Sequence, residues 1–256
     1  MSLLRTLGAS AALTLAAGAL SAASLSFEVL ESRFYDAQGG NVRMIADTFA
    51  AESRVRWGQD GILMSETSGY SYENRVTPFQ ENENDVFAIG AFRHFNKPIN
   101  QGTSITSVNM AIRGLVSIDG GTAVERIFDF QIAHTETPNS GTCAFGGANG
   151  QGVNANGCAD QVVITSTEDT DVFQIGDQTY TLNILGFAAS RADAEGGLFD
   201  SAFLSPEGGV NRRILAASFQ VADIAPVPVP ASIMLTLSGL GLLGGMGAYR
   251  RRRKAS

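Results

Sequence analysis

The chain has 256 residues, and its 25 acidic residues outnumber its 18 basic ones, so the formal net charge is −7. Six of the basic residues lie in the two ends of the chain, whereas all the acidic residues lie between them, which leaves the central body a net charge of −13. A body this acidic argues against nucleic acid and anionic membranes as its partners, and residues 24–225 are enough for one hydrophobic core.

The first 23 residues have the order of a secretory signal peptide. Arg5 precedes an apolar run that extends to about Leu20, and small residues follow it. Ser21 and Ala23 suit the positions before a cleavage site, so we place the cut after Ala23. An uncleaved anchor helix is the alternative, although the apolar run is short for one. Residues 24–225 then form the exported body.

Short segments of alternating hydrophobicity, separated by polar turns, fill this body. In one of them Phe128, Phe130 and Ile132 alternate with polar residues, as in a half-buried strand. The others read SVNMAIRGLVSI, QVVITS, DVFQIGDQTYTLNILGF and LAASFQVA. The pattern predicts an all-β fold, a single antiparallel β-sandwich of jelly-roll type. We expect the first segment, SLSFEVL, to pair with the last one.

Two stretches differ from this pattern. Val42, Ile45 and Phe49 have helical spacing and predict a short helix. Residues 191–209 predict a loop that contains one helical turn.

Trp57 is the single tryptophan, and Tyr70 and Tyr72 follow it closely in the sequence. Together these rings could form a platform on which a sugar stacks. Packing in the core or at its rim is the more common role of such residues, and we favour it.

The two cysteines, Cys143 and Cys158, both lie in the exported body. An oxidising compartment favours a disulfide between them, and closing a loop of about 15 residues stabilises a fold by roughly 3 kcal/mol. A redox pair or a metal site is the alternative. The spacing offers neither a CxxC motif nor a second pair of ligands.

The two histidines, His94 and His134, each end a predicted strand. With Glu136 they would make a minimal metal or catalytic set. His134 shares the parity of the inward-facing Phe130 and Ile132, so we expect it to be buried. A buried histidine that serves the structure is the interpretation we favour, and a contact between the two histidines on adjacent strands is a further hypothesis.

Two acidic runs would suit Ca²⁺, which prefers hard oxygen ligands at turns. Their members are Glu81, Glu83 and Asp85, and Glu168, Asp169 and Asp171. Neither run has the spacing of a known calcium loop, so a solvated turn is the preferred interpretation, and we predict no other cofactor. The chain carries no nucleophile elbow or phosphate-binding loop, which leaves no catalytic residue to assign.

Residues 226–256 form a third part of the chain. A proline motif comes first: Val227, Pro228, Val229, Pro230 and Ala231. Residues 232–249 are uncharged and would span ~27 Å as a helix, about the thickness of a hydrocarbon core. A stop-transfer cluster follows: Arg250, Arg251, Arg252, Arg253 and Lys254. A plain single-span anchor is one interpretation of this tail.

The tail resembles a PEP-CTERM sorting signal of the VPLPA type, with Val229 in place of the central glutamate of the general form. The resemblance implies recognition by an exosortase-type transpeptidase in a Gram-negative bacterium. The precursor would be held transiently in the inner membrane and cut near the proline motif. Its body would then be released or attached at the cell surface.

The body resembles the THxN family of PEP-CTERM proteins. The matching elements are His94-Phe95-Asn96, the ETPN stretch Glu136–Asn139 that follows His134, the cysteine pair with NGCAD, and YTLNILGF. Arg93 stands where the family has threonine, so a role for that hydroxyl is lost here. The family brings no mechanism with it.

Three functions follow as expectations. The first is a non-enzymatic surface or matrix protein associated with exopolysaccharide and biofilm. The second is a secreted carbohydrate-binding module that uses the aromatic residues. The third is a secreted polysaccharide hydrolase.

Overall fold

The computed structural model describes residues 23–45, 48–58, 67–75, 78–165, 172–176 and 178–221. Residues 1–22 and the whole sorting signal, residues 226–256, lie outside this part of the chain, so both segments stay predictions. Within the described ranges, no helix has the length and apolar character needed to cross a bilayer.

The regular secondary structure of the described chain is almost entirely β-strand, as the alternating pattern predicts. Its strands, in chain order, are β1 (Ser24–Gly39), β2 (Val42–Ile45), β3 (Glu52–Trp57), β4 (Ser68–Asn74), β5 (Phe79–Asn82), β6 (Val86–Asn96), β7 (Ile105–Ile118), β8 (Val124–Thr135), β9 (Asp160–Thr165), β10 (Val172–Ile175), β11 (Gln178–Ala188), β12 (Ala202–Ser205) and β13 (Gly209–Val221). A 3-10 turn covers Gly152–Asn154, and one short helix, α1, covers Arg191–Glu195.

These strands form two antiparallel sheets. The first has the order β12-β9-β8-β7-β1-β5, and the second has the order β10-β11-β13-β6-β4-β3-β2. Inward side chains of both sheets, such as Phe27 and Phe128 of the first and Phe92 and Phe219 of the second, belong to one buried cluster. The sheets therefore face each other across a common core.

Helix α1 lies on the outer side of the second sheet. Ser190 caps it, because its side chain accepts a hydrogen bond from the backbone N–H of Asp193. Ala194 packs there against Ala91 and Ile214 in a small apolar cluster. The single helical turn predicted within residues 191–209 is thus confirmed, although the rest of that stretch also contains β12.

Two local predictions are wrong. Val42 and Ile45 lie on β2 instead of a helix, because this segment pairs with β3, where Val42 faces Trp57. The pairing with β3 satisfies the backbone hydrogen bonds of this segment, and the local hydrophobic pattern does not predict such a pairing. The first and last strands also do not pair: β1 lies between β7 and β5, whereas β13 lies between β11 and β6 in the other sheet.

The predicted disulfide between Cys143 and Cys158 is present. It closes the long connection between β8 and β9, and Cys158 is buried only two residues before Asp160 begins β9. Asn154 organises the same connection from inside, since its amide donates to the carbonyls of Phe145 and Gly147 at 2.8 and 2.9 Å. The connection is therefore an ordered part of the domain.

We predict that replacing both cysteines by serine lowers the free energy of unfolding by about 3 kcal/mol, because the unfolded chain regains the freedom of the closed loop. Urea unfolding of the purified chain measures the change. Reduction of the wild-type protein should reproduce it, and a loss under 1 kcal/mol would show that the loop does not depend on the bond.

Candidate functional site

The two histidines meet in the core between the sheets. His94 lies on β6 of the second sheet and His134 on β8 of the first, with 5.2 Å between their ring centroids. Both side chains are buried, at 0 and 5% exposure for the whole residues. The hypothesis of a contact between them is confirmed, but the strands that carry them face each other and are not adjacent within one sheet.

Strand geometry explains why both rings point inward. Along β8, alternate residues are buried, and His134 continues the series of Phe128, Phe130 and Ile132. In β6 the register with β13 shifts between Gly90 and Ala88, so Ile89 has no partner. This bulge moves the inward face to the even-numbered positions that include His94.

Each histidine is held through Nδ1 by a hydroxyl group. His134 Nδ1 lies 2.6 Å from the hydroxyl of Tyr70, and His94 Nδ1 lies 2.7 Å from Oγ of Ser205. Ser205 Oγ also accepts a hydrogen bond from the side-chain amide of Asn211 at 2.7 Å. These contacts fix both rings and direct each Nε2 into the same interior space.

Three carboxylates surround that space. Glu136 follows β8, Asp160 begins β9, and Glu207 lies in the turn between β12 and β13. His94, His134 and Asp160 can each offer one atom such that all three lie within 4.8 Å of one another, and Glu136, Asp160 and Glu207 form a second such set. We call these five residues the His-carboxylate cluster.

Backbone contacts near the disulfide position Asp160. Its Oδ1 accepts a hydrogen bond from the backbone N–H of Thr137 at 2.8 Å, and the hydroxyl of Thr137 donates to the carbonyl of Cys158 at 2.8 Å. The neighbouring Gly157 has φ +128°, and a Cβ there would lie 3.2 Å from Cγ of Glu207. Glycine at this position both permits the backbone conformation and leaves room for Glu207.

Several polar atoms of the cluster are buried and have no hydrogen-bond partner among the described residues. They are Nε2 of His94, Oδ2 of Asp160 and both carboxylate oxygens of Glu207. An unpaired buried polar atom costs about 1–3 kcal/mol, and more when the group is charged. Four such atoms in one place indicate a site that something else completes.

Burial shifts the protonation of every member of the cluster. It lowers the pKa of His134 to about 4, opposed by Asp160, and it lowers the pKa of His94 well below the usual value, with help from His134 and Arg56. Burial also raises the pKa of Glu136 and of Asp160, which repel each other, and it raises that of Glu207 to about 7. Three carboxyl groups and two neutral imidazoles therefore share one enclosed space at neutral pH.

The cluster borders a cavity of about 730 Å³, whose lining includes His134, Glu136, Thr137 and Asn139. The side chain of Glu136 is 18% exposed, whereas those of His134 and Asp160 are fully buried. Glu136 is thus the member through which a small species would enter from the cavity.

The residues on which the resemblance to the THxN family rests lie in and around this cluster. His94, His134 and Glu136 belong to it, and Asn96 donates from its side chain to the carbonyl of Ser205 at 2.9 Å. Oδ1 of Asn139 is buried without a described partner, on the side of Gly157 and Glu207.

The residue at the threonine position of the motif lies apart from the cluster. Arg93 points to the other side of β6, where it pairs with Glu73 and, at 3.8 Å, with Glu52. Its guanidinium therefore does not enter the core.

The aromatic residues considered for sugar binding have a different position. Trp57, Tyr70 and Tyr72 are each 0% exposed. The ring of Trp57 lies 5.9 Å from that of His94 and 5.2 Å from that of His134, so it forms a wall of the cluster. The alternative of a sugar-stacking platform is therefore wrong, since inward strand parity buries all three rings, and the favoured packing role is confirmed.

Two members of the first acidic run, Glu81 and Asp85, form an ion pair or hydrogen bonds with neighbouring residues. Glu81 lies 3.8 Å from Arg75, and Asp85 accepts hydrogen bonds from the backbone and side chain of Asn82. Glu83 is half-buried at the same turn. The second run, with Glu168, Asp169 and Asp171, lies outside the described residues.

Sequence reasoning missed Asp160, Glu207 and Ser205 as site residues. Asp160 ends the NGCAD element, so its closeness to the cysteine pair was a usable signal. Glu207 lies in a Pro-Glu-Gly-Gly turn, which has the composition of an ordinary solvated turn and gave no signal.

Comparison of the chain with known protein families and with curated proteins finds no match.

We predict that the thermal stability of the protein falls as the pH rises from 6.5 to 8. A chelator is added, so that no bound cation holds the carboxyl groups in the ionised form. A carboxyl group such as Glu207, whose pKa rises from 4.5 to about 7 on folding, binds more protons in the folded state, so its contribution is lost as the pH rises through that window. The histidines act in the opposite direction, and their effect fades above about pH 7, where the unfolded chain no longer protonates them; three carboxyl groups therefore outweigh two histidines in this window. Thermal unfolding across this pH range measures the effect.

Glu207→Gln provides the matching variant, because it removes one titrating carboxyl and keeps the shape of the side chain. We expect it to unfold at a higher temperature than wild type at pH 8 and to depend less on pH. Glu28→Gln, on the outer side of β1, is the control and should leave the pH dependence unchanged. A wild-type midpoint that stays constant or rises from pH 6.5 to 8 would contradict the predicted sign.

Proposed function

We propose that the chain is an exported surface or extracellular-matrix protein without enzymatic activity, processed by an exosortase-type transpeptidase and associated with exopolysaccharide in a biofilm. The observation that carries the proposal is the disulfide Cys143–Cys158, because such bonds persist in oxidising compartments outside the cytoplasm. The charge distribution of the sequence supports the same export route, since the body is acidic and the C-terminal end is basic.

The sorting signal gives the proposal its order of events. The signal peptide directs export, residues 232–249 hold the precursor in the inner membrane, and the proline motif 227–231 is the site of recognition. The cut then frees the body for the cell surface or the matrix. Membership of the THxN family belongs to the same proposal, and the assembly of five motif residues around one buried cluster supports it.

For the body we propose a single β-sandwich of jelly-roll type. The common core between the two sheets supports this architecture. Its acidic surface favours hydrated polysaccharide over nucleic acid as a neighbour.

A secreted hydrolase is the second candidate, and one observation favours it over the carbohydrate-binding module. Glu136 and Asp160 lie close together beside His134, and Glu136 lines a cavity of about 730 Å³. Catalysis of acid–base type on sugars uses a pair of carboxyl groups, of which one has a raised pKa and acts as the acid while the other acts as a carboxylate. The carbohydrate-binding module loses its support with the burial of Trp57, Tyr70 and Tyr72.

We predict that Pro228→Ala combined with Pro230→Ala blocks processing in the producing cell. The precursor should accumulate in the membrane fraction at full mass, because the transpeptidase no longer recognises the motif. Immunoblots of fractionated cells measure this. The control is Pro206→Ala, in the turn between β12 and β13, which should leave processing intact.

Mature protein of wild-type mass from the double variant would contradict sorting by this motif.

Incubating the full chain with the strain's own exopolysaccharide separates the two candidate functions. Saturable co-sedimentation without released reducing sugar supports the matrix role, and release of sugar that Glu136→Gln abolishes supports the hydrolase.

A further inference from the structure

We propose that the His-carboxylate cluster binds one divalent first-row transition-metal ion, with Zn²⁺ as its type. The ligands are Nε2 of His94, Nε2 of His134 and Oδ2 of Asp160, and the open fourth position is on the side of Glu136 and the cavity. Glu207 adds negative charge beside the ion. This site goes beyond the proposed surface function and does not depend on it.

The spacing of the donor atoms carries the proposal. Nε2 of His134 lies 3.4 Å from Oε2 of Glu136 and 3.9 Å from Oδ2 of Asp160. The first contact is a long hydrogen bond, since the usual range ends near 3.2 Å, and the second is too long to be one. Two ligand atoms on one tetrahedral zinc ion lie about 3.3 Å apart, since each bond measures about 2.0 Å. The 3.4 Å separation is that of two atoms that share an ion, and the 3.9 Å separation is longer than this by roughly half an ångström.

The second observation is the set of unpartnered atoms. Nε2 of His94 and Oδ2 of Asp160 belong to fully buried residues and have no hydrogen-bond partner among the described residues. Both residues also belong to the set that converges with His134. A cation would satisfy them at once, whereas a packing role leaves them unpaired.

The surrounding hydrogen bonds are those that a metal site requires. A histidine ligand usually offers its second ring nitrogen to a neighbouring group, which fixes the ring. Tyr70 takes this role for His134, and Ser205 takes it for His94. The backbone N–H of Thr137 holds Oδ1 of Asp160, which leaves Oδ2 free to bind.

The negative charge of the ionised carboxyl groups also favours a bound cation. Within the described residues, the ion pairs of Glu136 and Asp160 involve only His134, and Glu207 has no ion pair. Burial of three carboxyl groups without a positive partner is costly unless they are protonated or bind a cation. A divalent ion allows them to ionise.

The donor types select the class of ion. Imidazole nitrogens suit Zn²⁺ and other first-row transition ions, whereas Ca²⁺ and Mg²⁺ take sites built from oxygen. Two imidazoles in the set therefore exclude an alkaline-earth site here, in contrast with the calcium considered for the acidic runs of the sequence.

The test is a cobalt titration of the full chain, purified in mild detergent without a histidine tag and stripped with a chelator. Bound Co²⁺ in a tetrahedral site absorbs visible light through its d–d bands, so the spectrum reports the coordination. We expect the absorption to saturate at one Co²⁺ per chain and to disappear when one equivalent of Zn²⁺ is added. Excess Ca²⁺ should leave it unchanged.

Asp160→Asn is the principal variant, because it keeps the oxygen that accepts from Thr137 and replaces the ligand oxygen by an amide nitrogen. We expect it and His134→Gln to bind Co²⁺ at least tenfold more weakly, while Glu28→Gln binds like wild type. Circular dichroism and thermal unfolding show whether each variant is folded. If one variant does not fold, the titration of the folded wild-type chain still tests whether the metal binds.

Three results would overturn the proposal. One is the absence of a cobalt spectrum from the folded wild-type chain at a hundredfold excess of metal. Another is a spectrum that folded Asp160→Asn and His134→Gln both retain at full strength. The third is displacement of Co²⁺ by Ca²⁺ as readily as by Zn²⁺, since that would show oxygen ligands only.

Discussion

The enclosure of three carboxyl groups and two imidazoles between the sheets is the constraint on which this structure depends. Glu136, Asp160 and Glu207 lie in a low-dielectric space without a lysine or arginine partner among the described residues. Such a group of acids stays buried only if protons or a cation neutralise it. The bulge in β6 turns His94 toward these groups, and the disulfide lies two residues before Asp160.

The fold brings the five side chains together from segments far apart in the sequence. Two facing sheets supply His94 and His134, and three loop ends supply the carboxylates. Strand parity decides which side chains enter the core, so His94, His134 and Asp160 are each fixed by the register of a strand that is itself paired on both sides. The disulfide and Asn154 hold the one long connection near the site. This rigidity suits a site whose ligands must keep their separation.

Much of the fold follows from the sequence because alternation is a local property. Phe128, Phe130 and Ile132 predict both β8 and the inward direction of His134. The pairing of strands is not local, which is why Val42 and Ile45 gave a wrong helix and why the first strand was paired with the wrong partner. The bulge that turns His94 inward depends on the register with β13, and Gly90 beside it was a usable but weak signal in the sequence.

The site was predictable in part for the same reason. His94, His134 and Glu136 are rare or distinctive residue types at strand ends, and the motif marks them. Glu207 is one of 25 acidic residues and lies in a turn of ordinary composition, so only coordinates single it out. Trp57 shows the converse case, in which a residue chosen for a surface role lies behind the histidines.

Anomalous X-ray scattering tests the central claim most directly. Crystals of the protein grown with Zn²⁺ would be measured on both sides of the zinc absorption edge. We expect one anomalous peak between Nε2 of His94, Nε2 of His134 and Oδ2 of Asp160, about 2 Å from each of these atoms. An anomalous map without a peak at that position, in crystals where the side chains are well defined, would contradict it.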